Sequence, residues 1–380
     1  MASVDMTTRD NSPMSSTTGP TPNGPTMPGP ATNGPVDDMP DDGIKLAIRR
    51  FIGRVVAVVT TLLGLLFLTF SMGRLLPADP VLAITGPEVS KEVYDRVFKQ
   101  LGLDQPVYIQ FVSYVKRVLT GDLGVSAITG QPIVTDLMSV FPATIELTIV
   151  AMLVGTIVGV PLGITAAVNR GKPIDHAARI IGLAGHSIPT FWMGLMALFI
   201  FYAKLQWVGA SGRIDVYYEG IVTPVTGFLL LDSAMEGNWD VFQNALGHII
   251  LPGAILGYYS VAYISRMSRS FMLEQLSQEY IITARAKGLA SRQVIWRHAF
   301  RNIRVQLLTI MALTFGGLLE GAVLIETVFA WPGLGQYLTR GLQMNDMNVV
   351  MGAVLTIGIV FLIINITSDV LYRILDPRTR

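Results

Sequence analysis

Five stretches of this chain carry no charged side chain over roughly the thickness of a bilayer, counting histidines as neutral: 55–73, 147–169, 180–203, 241–265 and 347–368. The shortest has 19 residues, and about 20 apolar residues at about 1.5 Å each cross a hydrocarbon core of about 30 Å. In lipid every backbone N–H and C=O must be bonded inside the protein, so runs of this length read as helices. A sixth stretch, 305–325, keeps the apolar content but is interrupted by Glu320. The expected fold is an all-α integral membrane protein with six transmembrane helices.

Composition narrows the chemistry. The 380 residues are 51% hydrophobic and 14% charged with a net charge of +1, so no global basic field exists to attract nucleic acid. With no cysteine, disulfides, thiolate metal sites and cysteine nucleophiles are excluded. His176, His186, His248 and His298 lie on different loops and spans without ligand spacing, so no metal site is expected. A phosphate loop is also missing, since the Gly171-Lys172 pair is followed by Pro173. No catalytic residue and no cofactor are therefore expected in this chain, and any ATP and Mg must be handled by another one.

The organisation follows the hydropathy. Residues 1–43 hold eight of the 21 prolines, repeat Asn-Gly-Pro at 23–25 and 33–35, and lack apolar runs. Such a segment cannot offset its ordering entropy and reads as a disordered tail, either a tolerated extension or a binding segment. It has no apolar core of the kind a secretory signal carries. Helix 1 is expected over 51–76, a small extracytoplasmic region over 77–140, and a core of helices 2–6 over 141–375. In the outer region Tyr108, Phe111, Val112, Val115 and Leu119 form an apolar helical pattern. That helix is either a packing lid over the span ends or part of a docking surface.

Lysine and arginine placement sets the orientation. With the N-terminus in the cytosol, nineteen of the 28 basic residues fall on the cytosolic side. The short loops decide it: Arg170, Lys172 and Arg179 inside, against Arg340 alone in 326–346 outside. Both termini are expected in the cytosol.

The loop 274–302 between the fourth and fifth spans is basic, amphipathic and broken by glycine. Ser277 is the expected N-cap, Glu279 lies in the first turn, and Gly288 is the expected stop because glycine accepts the left-handed conformation. Ser291 can cap a second short helix, and the small Ala284 and Ala286 permit close approach of a partner. The stretches Tyr280 to Leu289 and His298 to Asn302 resemble the cytoplasmic "EAA" loop of ATP-binding-cassette importer permeases of the dipeptide/oligopeptide/nickel branch, most like the dipeptide B-type subunit. Gly102-Leu-Asp-Gln-Pro106, Gly121-Asp-Leu-Gly124, Arg266-Met-Ser-Arg269, Glu326-Thr-Val-Phe-Ala-Trp-Pro-Gly333 and Asp376-Pro-Arg378 match in order, so the resemblance covers about residues 45–380.

The resemblance implies a type I ABC importer permease in the bacterial cytoplasmic (inner) membrane. It would work with a homologous second permease, two ABC ATPase subunits, an extracytoplasmic solute-binding protein and the surrounding lipid. It assigns ATPase coupling to Glu279, Tyr280, Thr283, Ala284, Arg285, Ala286, Lys287, Gly288 and Leu289. Gln306 stands where related permeases commonly carry proline, so the bend into the fifth span is expected to differ. The loop Pro224 to Ser233 is similar to dipeptide permeases and favours short peptides, with nickel, glutathione or oligosaccharide as the alternatives in the class. A stand-alone secondary transporter is the rival from another class, but inverted repeats and midplane charges are lacking.

Two features within the spans complete the expectations. Gly155, Gly159 and Gly163 recur every four residues, the spacing that lets helices approach closely in lipid, with pore lining as the alternative. Pro161, Pro189 and Pro252 mark kinks. Glu146, Glu320, Glu326 and Asp369 sit near span ends; Glu320 and Glu326 are the candidate residues of a substrate path, Glu320 through a substrate ammonium or a neighbouring subunit, with simple solvation as the alternative.

Overall fold

A computed structural model describes residues 41–75, 80–86, 88–209 and 211–375. The expected tail lies outside the described residues except for 41–43, which are already helical; Asp376-Pro-Arg378 lies outside them too. The chain divides into Met1–Val55 and Val56–Arg380. Of the first unit only the helical stretch from Asp41 is described, and the helix packing belongs to the second.

The helices are α1 (Asp41–Leu75), the short α2 (Pro80–Thr85), α3 (Lys91–Gln100) and α4 (Val107–Leu119), and the long α5 (Ile133–Val168). Then come α6 (Pro173–Ser187), α7 (Thr190–Ala197) with a π-helical continuation over Leu198–Lys204, α8 (Leu229–Met235) and α9 (Trp239–Leu276). Last are α10 (Glu279–Ala286), α11 (Ser291–Gln293) with π-helical Val294–Ala299, α12 (Phe300–Val328), α13 (Leu334–Gln343) and α14 (Met347–Leu375).

Among the described residues five helical stretches are long and apolar enough to cross a membrane: Val55–Arg74, Ile133–Val168, Trp239–Leu276, Ser291–Val328 and Met347–Ser368. The third span expected over 180–203, with a kink at Pro189, is sharply bent. Pro173–Gly185 of α6 and Thr190–Lys204 from α7 onward are apolar enough only as a pair, bent by 98°. Ile188 is extended (φ −90°, ψ 124°) because the ring of Pro189 disfavours helical backbone in the residue before it. Pro161 and Pro252, by contrast, sit inside continuous helices.

The most extensive interface joins α5 to α9, which run side by side in the same direction. A side chain at Gly155 would overlap Ser260, one at Gly159 would come 3.2 Å from the Val261 carbonyl, and one at Gly163 would lie 2.6 Å from Ser268 Cβ. The glycines thus set how closely the two helices approach. α4 packs on α1 and α14 through Phe111, Tyr114, Val115 and Val118. Tyr114, absent from the expected apolar pattern, is buried and shares a 3.0 Å hydrogen bond with Thr69, whereas Tyr108, Val112 and Leu119 are exposed.

A bidentate ion pair ties α6 to α9. Arg269 donates from Nε to Asp175 Oδ1 at 2.6 Å and from Nη2 to Oδ2 at 2.9 Å, and the Gly171 N–H donates to the same carboxylate at 3.0 Å. Asp175 is buried. Asp175→Asn leaves the guanidinium short of one charge-assisted bond. It is expected to destabilise the protein by about 1.5–3 kcal/mol, read as a lower melting temperature of the detergent-solubilised protein, with an unchanged midpoint counting against the pair.

At the opposite end of the bundle, side chains fold the loops. Arg213 is held by Glu146 and by the Gly227 carbonyl at 2.7 Å, while the Leu230 N–H donates to Glu146 at 2.8 Å. Asp232 closes the 224–233 loop, accepting from Val225, Thr226 and Gly227 N–H groups and the Thr226 hydroxyl. Burial alone would raise its pKa; the four hydrogen bonds outweigh that and hold the carboxyl below the ordinary range. Asp346 likewise accepts from Ser126 Oγ and the Ala127 N–H, fixing the turn before α5.

Candidate functional site

The segment between α9 and α12 is built from the inside out. Ile281 and Ala284 of α10 are buried in one cluster with Val160 and Ile164 of α5, Ile264 and Met272 of α9, and Val294, Ala299, Ile303 and Leu307 of the α12 approach. This apolar plug mounts α10 rigidly on the ends of three long helices. Its outer side carries Glu279, Tyr280, Ile282, Thr283, Arg285, Ala286, Lys287, Gly288 and Leu289, all exposed.

The turn that ends α10 follows from Gly288, whose φ is +74°. The Gly288 N–H donates to the Arg285 carbonyl at 2.9 Å and the Leu289 N–H to the Ala284 carbonyl at 3.3 Å. This paired arrangement is the Schellman motif, in which a left-handed residue satisfies carbonyls the helix leaves free. No atom lies within 4 Å of where a Gly288 Cβ would be, so backbone conformation alone demands glycine there.

Three expectations are corrected here. Ser277 ends α9 and bonds the Glu274 carbonyl; the N-cap of α10 is Gln278. Ser291 is the first residue of α11, with Ala290 at the cap and no side-chain cap bond. Ala284 faces inward, so its small size serves packing within the chain, and Ala286 is the small residue left on the outside. Two outward residues escaped the sequence reading: Ile282, 61% exposed, and Trp296, which packs edge-on against Phe300. Adjacent isoleucines at 281 and 282 carry no pattern that says which one is buried. At Gln306, α12 continues unbroken.

The two acids of the candidate substrate path part company. Glu326 is fully buried and lines no path. Its Oε1 accepts from the Thr144 hydroxyl at 2.6 Å, and its Oε2 accepts from the first-turn N–H groups of α13, Gly335 at 2.7 Å and Gln336 at 3.2 Å. Its carboxyl group is seated on the N-terminus of α13. The Trp331 indole N–H donates to the Ala143 carbonyl at 3.0 Å and the Leu334 N–H to Thr144 at 2.7 Å, so the whole 326–334 corner is bonded to α5. Glu320 is exposed on α12. Among the described residues no group of three His, Cys, Asp or Glu side chains is arranged to hold a metal ion.

Fold and site together define a multi-pass helical membrane protein with a rigidly mounted, projecting turn at one face. Residues 159–380 match the family described as binding-protein-dependent transport system inner membrane component, and residues 44–148 its N-terminal membrane component. The chain belongs to this family. It is 42% identical to the probable D,D-dipeptide transport system permease protein DdpB of Escherichia coli, over 86% of this chain and 95% of that one. It is 39% identical to the di/tripeptide transport system permease protein DppB of Pseudomonas aeruginosa and 40% identical to the dipeptide transport system permease protein DppB of Escherichia coli, each over 86% of this chain and 97% of the relative. A chain of the inward-facing MetNI methionine ABC transporter is similar at a TM-score of 0.42 and 20% identity, over 62% of this chain and 93% of that one.

Proposed function

We propose that this chain is a permease subunit of an ABC importer for short peptides, with dipeptides the first candidates. The observation that carries the reading is the outward face of 279–289 on a buried apolar plug: a force applied to it reaches α5, α9 and α12 as one body. The dipeptide and di/tripeptide permeases among its relatives support the substrate class.

In this reading the end of the bundle bearing Arg170, Lys172, Arg285, Lys287, Arg292 and Arg297 faces the cytosol. Two ATPase subunits bind and hydrolyse ATP with Mg there and contact Glu279, Tyr280, Thr283, Arg285, Ala286, Lys287 and Leu289, while Gly288 shapes the turn. A second, homologous permease completes the pathway. An extracytoplasmic binding protein delivers the peptide to the end formed by the 124–132 turn, the 213–236 loop and α13.

The test is reconstitution. Proteoliposomes holding the full complex should accumulate labelled Ala-Ala only with ATP and binding protein present, and the isolated chain should do neither transport nor ATP hydrolysis. In cells, cysteines replacing the exposed Lys172 and Ala290 should resist impermeant thiol reagents, while those replacing the exposed Ser90 and Glu219 react. A reversed labelling pattern overturns the orientation.

A further inference from the structure

Glu320 lies on a side of α12 that none of the described residues covers. Leu313, 48% exposed, Glu320 and Leu324, 50% exposed, follow one another at helical spacing, and no atom lies within 4 Å of where a Gly317 Cβ would be. The face is bounded on one side by α14, where Gly316 meets Phe361, and on the other by α9, where Gly321 meets Leu256. Glu146 and Glu326 are fully engaged by donors within the chain, whereas Glu320 has neither an ion pair nor a hydrogen bond among the described residues. At about 1.5 Å per residue it sits about 24 Å beyond Arg304 and about 12 Å before the end of α12.

An ionised carboxylate within a membrane-spanning helix, even toward its end, is unfavourable against lipid tails and is accommodated at a water-filled path or beside a cation. We propose that Glu320 faces the translocation path and receives the α-ammonium group of the transported peptide. The inference rests on the peptide-importer reading above. A carboxylate is an acceptor without donors, and the α-ammonium is the cation that free peptides share whatever their side chains. Gly317 leaves room beside it, and Leu313 and Leu324 offer apolar borders that do not select among side chains. The same helix runs back through Val294–Ala299 to α10, so displacement of α10 moves the carboxylate relative to its surroundings.

The absence of native cysteine makes Glu320→Cys a unique reporter in this chain. In the reconstituted complex this variant should lower Ala-Ala uptake at least tenfold while co-purifying with the second permease and the ATPases as the wild type does. Its thiol should react with charged methanethiosulfonates. The sulfonatoethyl adduct, which restores a negative charge, should recover most of the uptake and the aminoethyl adduct none, with the identically treated wild-type complex as the reference. A thiol inert to both reagents, adducts of opposite charge that behave alike, or uptake unchanged in the variant each overturns the proposal. Loss of the second permease on purification assigns Glu320 to a subunit contact and also overturns it. A wild-type complex that takes up no Ala-Ala removes the peptide reading itself, a result distinct from any of these.

Discussion

Replacing Gly288 with valine abolishes uptake, at least a hundredfold, while the chain stays in the membrane at its normal level. The left-handed backbone at this position costs an L-residue about 1–2 kcal/mol, more for a β-branched one. Since no atom crowds the site, the penalty is one of conformation: the turn relaxes by giving up φ of +74° and with it the bonds from Gly288 and Leu289 to the end of α10. The helices beneath keep their plug, because Ile281 and Ala284 precede the turn. What changes is the aim of Lys287 and Leu289. Ile282→Glu, on the exposed face and outside the plug, should give the same loss without touching the turn. Both variants should be followed by uptake, by stimulated ATPase activity and by co-purification of the ATPase subunits. Normal coupling in both would remove 279–289 from the role of motor contact.

Glu326→Leu should act on a different level, preventing stable accumulation of the protein. The substitution leaves the Gly335 and Gln336 N–H groups and the Thr144 hydroxyl facing an apolar side chain in a site that water does not reach. Each orphaned buried group costs about 1–3 kcal/mol, so the corner, with three of them, loses on the order of 3–9 kcal/mol, a large share of the stability of an ordinary protein. Glu326→Gln, which keeps one acceptor oxygen, should fall between. Membrane abundance and the unfolding midpoint of the solubilised chain read the effect. An unchanged midpoint in the leucine variant would mean that the network does not hold the corner.

The contrast between Glu320 and Glu326 shows where reading the chain runs out. In sequence they are two acids six residues apart near the end of one apolar run. In the folded protein one faces outward with no partner among the described residues and the other is sealed under α13, because Thr144, 182 positions away, closes over it from α5 while α13 turns back onto it. The ion pair of Arg269 is a similar case: the residue belongs to a recognisable motif, but its partner Asp175 is ninety-four positions away.

By itself the sequence determined what lipid and backbone chemistry dictate locally. Apolar length required helices because unbonded backbone groups are not tolerated in hydrocarbon, the four-residue glycine spacing allowed a close helix contact, and Gly288 ended α10 because only glycine takes positive φ without strain. Tertiary structure alone decided the rest: that Ala284 turns inward while Ile282 turns outward, and that Glu326 serves as a structural anchor. Those outcomes depend on which surfaces meet, and a helix's own periodicity does not specify its neighbour.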